Sequence, residues 1–389
     1  MKIIGLMSGT SADGVDAALV EWPDDAATRP FELLSLLERP FPREEQARIH
    51  RLADRTLPGD AVLSELLAVD RFLADAFSDA AEAAAAEAGV ALDAVRAIAS
   101  HGQTVAHHPE VGGTLQIGSP SRLAERTGRP VVANFRPRDM AAGGEGAPLA
   151  PFFHHAAFAD AGESRVVLNL GGMSNVTWLP AGGDPDRVVA FDVGPANALV
   201  DAVLAHSSGG RERMDRDGAR ARRGRVNDAL LEELLDDPYF AQLPPKSTGR
   251  ERYGRAEAEA LAKRWEAEGR ELDDLVATLV ALTARSVALA VTELLPRVDA
   301  SAPPAARLLV AGGGAFNPAM LDALSAALPG VVVDRCRDHG VPDEGVEAIA
   351  FSLMGRNAVL GLSNHLPACT GAARAAVLGE RVPGADGRV

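Results

Sequence analysis

Cysteine is almost absent from this 389-residue chain, where Cys336 and Cys369 are the only two. Neither stands at metal-ligand spacing, which argues against a disulfide-stapled scaffold and predicts reduced thiols in a cytoplasmic protein. Basic charge is scarce as well. Lys and Arg number 39 against 54 Asp and Glu, a net charge of −15, so nucleic acid is not an expected partner. Long apolar runs are missing too. The run at 3–7 stops at a polar loop, and the alanines of 81–91 are broken by Glu82, Glu87 and Gly89. Neither a signal peptide nor a membrane partner is expected. What remains is a soluble, 47% hydrophobic chain longer than one core supports, so two domains are expected.

Strand signals fall at 2–6 and 15–22, with a polar glycine loop between them, and again at 165–169 and 175–179 around Gly171-Gly172. A short strand at 95–100 delivers "SHGQTVAHHP" at its end, another lies at 131–134, and one at 188–191 ends in Asp192. Helical periodicity marks 61–88, 197–204, 272–295 and 344–360. A third glycine turn, Gly312-Gly313-Gly314, follows a strand at 308–311 and opens a helix at 318–328. The arginines of 211–225 read as a solvated or partner-facing surface. Hairpins followed by helices in each half predict two α/β domains of similar plan, each offering a glycine loop to a shared cleft.

The first loop, "SGTSADGVD", contains Gly9, Thr10, Ser11, Ala12, Asp13, Gly14, Val15 and Asp16. Its glycines permit close approach to the main chain, and successive N–H groups form an anion-binding concavity. Asp13 and Asp16 would repel bare phosphate but suit a magnesium–phosphate complex. A plain hairpin turn explains the loop equally well. It is neither a Walker motif nor a dinucleotide fingerprint, because Gly-Lys-Ser/Thr is missing and a strand follows. "LNLGGMSNVT", with Asn169, Gly171 and Gly172, carries the same ambiguity. In "VAGGGAFNP" the glycines pass from a strand to a helix start at Asn317-Pro318, which suits a nucleotide or, equally, close strand–helix packing. Three such loops together favour a ligand.

Asp192, projecting at a strand end before Gly194-Pro195, is the candidate catalytic base; the bland alternative is an Asx-turn aspartate. His101 and Gln103 are candidate substrate contacts, with His107 and His108 at the surface and no metal-ligand spacing among them. The stretch "PPKSTGRERYG" offers Lys246, Ser247, Thr248, Gly249 and Arg250 to an anionic group, or forms an ordered loop.

These motifs, with "FDVGPANALVDA" and "VEAIAFSLMG", closely resemble the anhydro-N-acetylmuramic acid kinases, collinearly from about residue 4 to "TGAARAAVLG". One departure is Val193-Gly194-Pro195-Ala196, where the family usually has Thr-Gly-Pro-Gly. The resemblance implies an α/β, two-domain actin-like ATPase (ribonuclease H-like) fold with a central nucleotide cleft. It implies a first domain at 1–130, with the C-terminal 355–389 packing back on it, and a second at 131–354. It also implies ATP and Mg2+ as cofactors, with the metal on Asp13 or Asp16. Residues 9–16 would hold ATP's phosphates, and Asn169, Gly171, Gly172, Gly312, Gly313, Gly314 and Asn317 would complete the nucleotide site. Asp192 would be the base and Glu347 a carboxylate facing the sugar. The implied reaction opens 1,6-anhydro-N-acetylmuramic acid with water and phosphorylates O6, in a cytoplasmic homodimer. Two rivals are a kinase acting directly on a sugar hydroxyl and a nucleotide-gated binding protein.

Overall fold

Lys2–Ser8 (β1) is apolar and buried along nearly its whole length, and Gly14–Glu21 (β2) returns antiparallel to it. Glu32–Pro40 (β3) continues the meander on the far side of β2. Ala97–His108 (β4) lies parallel to β1, and Val131–Ala133 (β6) lies parallel to β4. Gly113–Ile117 (β5) folds back on β4 as a hairpin, and Glu380–Val382 (β12) closes the edge beside β6. This computed structural model describes residues 1–9, 11–249, 251–385 and 387.

The second sheet repeats the plan. Ser164–Leu170 (β7), Met173–Leu179 (β8) and Val189–Pro195 (β9) form an antiparallel meander. Ala305–Ala311 (β10) and Val332–Arg335 (β11) then add in parallel beyond β7. Setting aside the β5 hairpin, the first sheet runs β3–β2–β1–β4–β6–β12 and the second β9–β8–β7–β10–β11, so both share a third–second–first–fourth core followed by a further parallel strand. That order, found twice, is the actin-like, ribonuclease H-like arrangement.

The chain divides into one unit of Met1–Ala157 with Gly345–Val389 and a second of Phe158–Glu344. The first boundary therefore falls after Ala157 instead of residue 130, because β6 is hydrogen-bonded into the first sheet. The returning segment begins at Gly345, ahead of residue 355, because the whole Val346–Leu360 helix packs on the first sheet. Glycine makes that packing possible. A Cβ on Gly5 would lie 1.9 Å from the Ala348 carbonyl oxygen, and one on Gly355 would lie 2.4 Å from the Ala99 Cβ. In the second unit the Leu272–Leu289 helix fills the core with Leu275, Val276, Leu279 and Val287. Its apolar length would suffice to cross a membrane, but 78% of its most apolar window is buried.

Two local expectations change. β4 runs on to His108 instead of stopping at residue 100, so "SHGQTVAHH" is strand, stabilised by its pairing with β5. Asp192 stands in the middle of β9, opposite Asn175, where the strand pairing shifts register. Of the seven arginines at 211–225, Arg220 pairs with Glu212 and Asp273, Arg223 with Asp273 and Arg222 with Asp322, and all but Arg220 are exposed.

Candidate functional site

Pairing of β1 with β2 ends at Met7 and Asp16, and the chain between them is the first glycine loop. Its carbonyl oxygens are tied from behind. Gln103 Nε2 donates to Gly9 O at 3.0 Å, joined by the Ala12 N–H at 3.1 Å. Gln46 Nε2 donates to Ser11 O at 3.1 Å, and the Phe41 N–H to Asp13 O at 2.8 Å. Ser8 Oγ lies 2.7 Å from Gly14 O and 2.6 Å from Gln103 Oε1, sharing its proton between them. With these carbonyls engaged, the N–H groups of Gly9, Ser11 and Asp13 are left to meet an anion. Gly14 is required by packing, since a Cβ there would lie 2.6 Å from Arg39 O. Asp13 is exposed and accepts the Ser11 hydroxyl at 2.8 Å; Val15 is buried and Asp16 half-buried. Thr10 lies outside the described residues, as does Arg250.

Gln103, expected to touch substrate, instead uses both ends of its buried amide on this loop. His101 is buried and stacks on Phe351, with ring centroids 4.8 Å apart. Arg136 Nε donates to its Nε2 at 3.0 Å, so the ring proton sits on Nδ1, 2.9 Å from Gly102 O. Burial, with the Arg136 charge adding, holds His101 neutral far below the ordinary histidine range. Arg136 also donates to Gly146 O at 2.7 Å. Glu347, in the first turn of the Val346–Leu360 helix, keeps solvent contact while protein surrounds it. Desolvation pushes its carboxyl upward, and the charge of Arg136 pulls it down. Arg136 was invisible in the sequence, where "ANFRPRDM" carries no spacing that singles it out.

In the second unit the Gly171-Gly172 turn docks on a helix start. The N–H groups of Ala196 and Ala198 donate to Gly172 O at 2.9 and 3.0 Å. Asn197 donates to Gly171 O through both its N–H, at 3.1 Å, and its Nδ2, at 2.9 Å. Gly312 (φ +80°) and Gly314 press on the same place. A Cβ on the first would be 2.5 Å from Asn169 Oδ1, and one on the second 2.5 Å from Leu170 Cβ. Asn317 spends its side chain capping the Pro318–Ala327 helix at Met320 N–H, 3.3 Å away.

The glycines sort by cause. Gly5, Gly14, Gly312 and Gly314 are required by the chain itself. Gly9, Gly171 and Gly313, one in each loop, have no left-handed φ. A Cβ on Gly9 or Gly171 would meet nothing nearer than 3.7 Å, and one on Gly313 nothing within 4 Å. Open space above bare backbone at these three points is room for a ligand's polar groups.

Asp192 is half-buried, and its surroundings come from the 244–254 segment, anticipated either to meet an anionic group or to form an ordered loop. The Thr248 N–H donates to Asp192 Oδ2 at 3.1 Å, while the Asp192 N–H donates to Lys246 O at 3.3 Å. Tyr239 Oη donates to Asp192 O at 2.7 Å. Burial raises the carboxyl above the usual aspartate range, Glu251 adding to the rise, while the Thr248 N–H and Lys246 oppose it. Lys246 Nζ donates to Tyr239 O at 3.0 Å and sits 4.5 Å from the Tyr239 ring centroid. Burial brings its ammonium down to about 8 against the pull of Asp192. A carboxylate so placed is poised to take a proton near neutral pH.

Among the described residues no group of three His, Cys, Asp or Glu side chains could hold a metal by itself. Mg2+ held mainly by nucleotide phosphates needs only one or two carboxylates, and the open Asp13 beside the loop fits that role.

A sequence model of the family described as anhydro-N-acetylmuramic acid kinase matches residues 1–384. Curated relatives bearing that name include one from Xanthomonas campestris, 44% identical over 385 residues, covering 98% of this chain and 97% of the relative. Another, from Cupriavidus pinatubonensis, is 43% identical over 386 residues and 98% of both chains. One from Shewanella loihica is 41% identical over 383 residues, again 98% of both. Among solved structures there is a distant likeness to the activator of 2-hydroxyisocaproyl-CoA dehydratase from Clostridium difficile with bound ADPNP. It has a TM-score of 0.46 and 10% identity, covers 92% of this chain and 95% of that one, and is too remote to bear on function.

Proposed function

This chain belongs to the anhydro-N-acetylmuramic acid kinase family, and from that premise we propose how its residues perform the family's reaction. It converts 1,6-anhydro-N-acetylmuramic acid, ATP and water into N-acetylmuramic acid 6-phosphate and ADP, a step of peptidoglycan recycling. The observation that carries the residue assignment is Asp192. One carboxylate oxygen is anchored by the Thr248 N–H, and the other has no donor among the described residues.

Hydrolysis of a glycoside ordinarily needs two carboxyl groups, one to activate water and one to protonate the leaving oxygen. Here the leaving oxygen is O6 of the same sugar, and the γ-phosphoryl group captures it in place of a proton. A single base therefore suffices. Asp192 takes a proton from water as that water bonds to the anomeric carbon, the C1–O6 bond breaks, and O6 bonds to the γ-phosphorus as ADP leaves. Attack opposite the bridge inverts the anomeric centre.

The N–H groups of residues 9–16 hold the phosphates, supported from behind by Ser8, Gln46 and Gln103. Asp13 or Asp16 would hold Mg2+, which would supply charge neutralisation at the phosphates. Asn169 with the Gly171-Gly172 and Gly312–Gly314 turns binds the rest of the nucleotide, with backbone exposed at Gly171 and Gly313. His101, Arg136 and Glu347 face the sugar, the neutral His101 serving to hold Arg136. The enzyme works as a homodimer in the cytoplasm, a reading that rests on the family resemblance alone.

Turnover in heavy-oxygen water tests the scheme. The sugar phosphate should gain one solvent oxygen at C1 and none in its phosphate. Label in the phosphate, or equal turnover of the free sugar, overturns it.

A further inference from the structure

Four polar groups beside Asp192 have partners within the chain, and one buried hydroxyl does not. Lys246 O, the Thr248 N–H and Tyr239 Oη each bond to Asp192, and Lys246 Nζ is held by Tyr239 O and the Tyr239 ring. Tyr253 Oη in turn donates to Asp237 Oδ2 at 2.8 Å, fixing the far end of the same segment. The exception is Thr248 Oγ1, which is buried and has no hydrogen-bond partner among the described residues. Leaving a buried hydroxyl unpaired costs about 1–3 kcal/mol, so a partner absent from the bare chain is the expected explanation. This hydroxyl belongs to the residue whose N–H grips Asp192 Oδ2, so it sits beside the carboxylate it would serve.

We propose that Thr248 Oγ1 is a second anchor for the water that Asp192 activates. The inference rests on the assignment of Asp192 as the base. Water has two hydrogens to place. One goes to Asp192 Oδ1 and leaves as the proton transferred; the other is accepted by Thr248 Oγ1. With both fixed, an oxygen lone pair points at the anomeric carbon, where the new C–O bond forms as C1–O6 breaks and O6 passes to the γ-phosphorus. Thr248 thus sets orientation while Asp192 takes the proton.

Two substitutions at one position test this. Thr248→Val keeps the branched shape and the backbone N–H but removes the hydroxyl; Thr248→Ser keeps the hydroxyl. Valine should lower kcat by about 10²-fold with the KM for ATP changed less than about twofold, and serine should restore kcat to within about fivefold of the parent. The acid limb of the pH profile should stay in place in both variants. The charges that face Asp192, Lys246 and Glu251, are untouched, and so is the N–H on Oδ2. A merely structural role would move that limb and impair serine as much as valine. Valine within about threefold of the parent, or serine no better than valine, overturns the proposal. Should valine prevent folding, Thr248→Ala provides the same contrast with serine. Asp192→Asn, run alongside, separates the two failures: turnover surviving there defeats the assignment of the base, whatever Thr248 does.

Discussion

The two sheets share one strand order, yet the corresponding loops are built in different ways. In the first unit the loop after the leading strand is held by side chains, those of Ser8, Gln46 and Gln103. In the second the equivalent turn is held mainly by backbone, Gly171 and Gly172 accepting from the N–H groups at 196–198. In the first unit the outer half of the fourth strand, with His101 and Gln103, extends into a polar hairpin, whereas in the second the fourth strand closes through three glycines into a helix. Topology sets where loops emerge and leaves each copy free to stabilise them by its own means. Buried titratable groups occur in both units: His101, Asp139, His154 and His365 in the first, Asp215 and Asp343 in the second. The proposed base, Asp192, lies in the second unit.

If that assignment of chemistry to the second unit holds, Asp192→Asn should cost the most. Sugar phosphate formation should fall by about 10³-fold or more while ATP still binds, as read by a coupled assay and by calorimetry. The parent's acid limb should lie above the ordinary aspartate range, because the base must be ionised and its carboxyl is raised. Activity is then lost as pH falls through that raised value.

The backbone-built site is broken by adding a methyl group. Gly312→Ala should destabilise by roughly 2–4 kcal/mol, combining a left-handed φ with a collision at Asn169. Gly313→Ala should melt within about 0.5 kcal/mol of the parent yet bind ATP about tenfold more weakly, because only a ligand comes near it. Equal melting of the two variants would erase the distinction between glycines the chain needs and glycines the ligand needs.

Acid should single out the first unit. His154 is buried with its pKa brought down to about 4, and His101 is lowered too. Both lie below their unfolded values near 6.5, so the unfolded chain takes up protons first as pH falls. Their contribution is complete above about 6.5 and is lost toward 4, roughly 3 kcal/mol for His154 alone. His154→Leu should flatten that slope in melts followed against pH. The smallest effect is expected at Gln103→Ala, which removes the loop's support. We expect the KM for ATP to rise about tenfold with the KM for the sugar unchanged.

Much of this was legible in the residues. Apolar runs broken by glycine turns marked β1, β2, β7 and β8, and the alanine and leucine periodicity of 61–88 marked the Val62–Glu87 helix almost to its ends. The outer half of β4 was not legible, because "GQTVAHH" has no apolar face and is strand only through its pairing with β5. The central position of Asp192 in β9 was hidden for a related reason, since Gly194-Pro195 looks like a strand terminator. Gln46 and Arg136 went unseen because their partners, Ser11 O and His101, lie 35 positions away in both cases. Tertiary contacts alone give such residues a role.

The close seat of the Val346–Leu360 helix on β1 also fixes an order of events during synthesis. Gly5 is made 343 residues before its neighbour Ala348. The second unit is one uninterrupted stretch, so it can emerge and fold whole while the first sheet still waits for its covering helix. A chain released before residue 345 would therefore carry a finished second unit and an open first one, its buried face of Ile3, Gly5 and Ala99 exposed to chaperones.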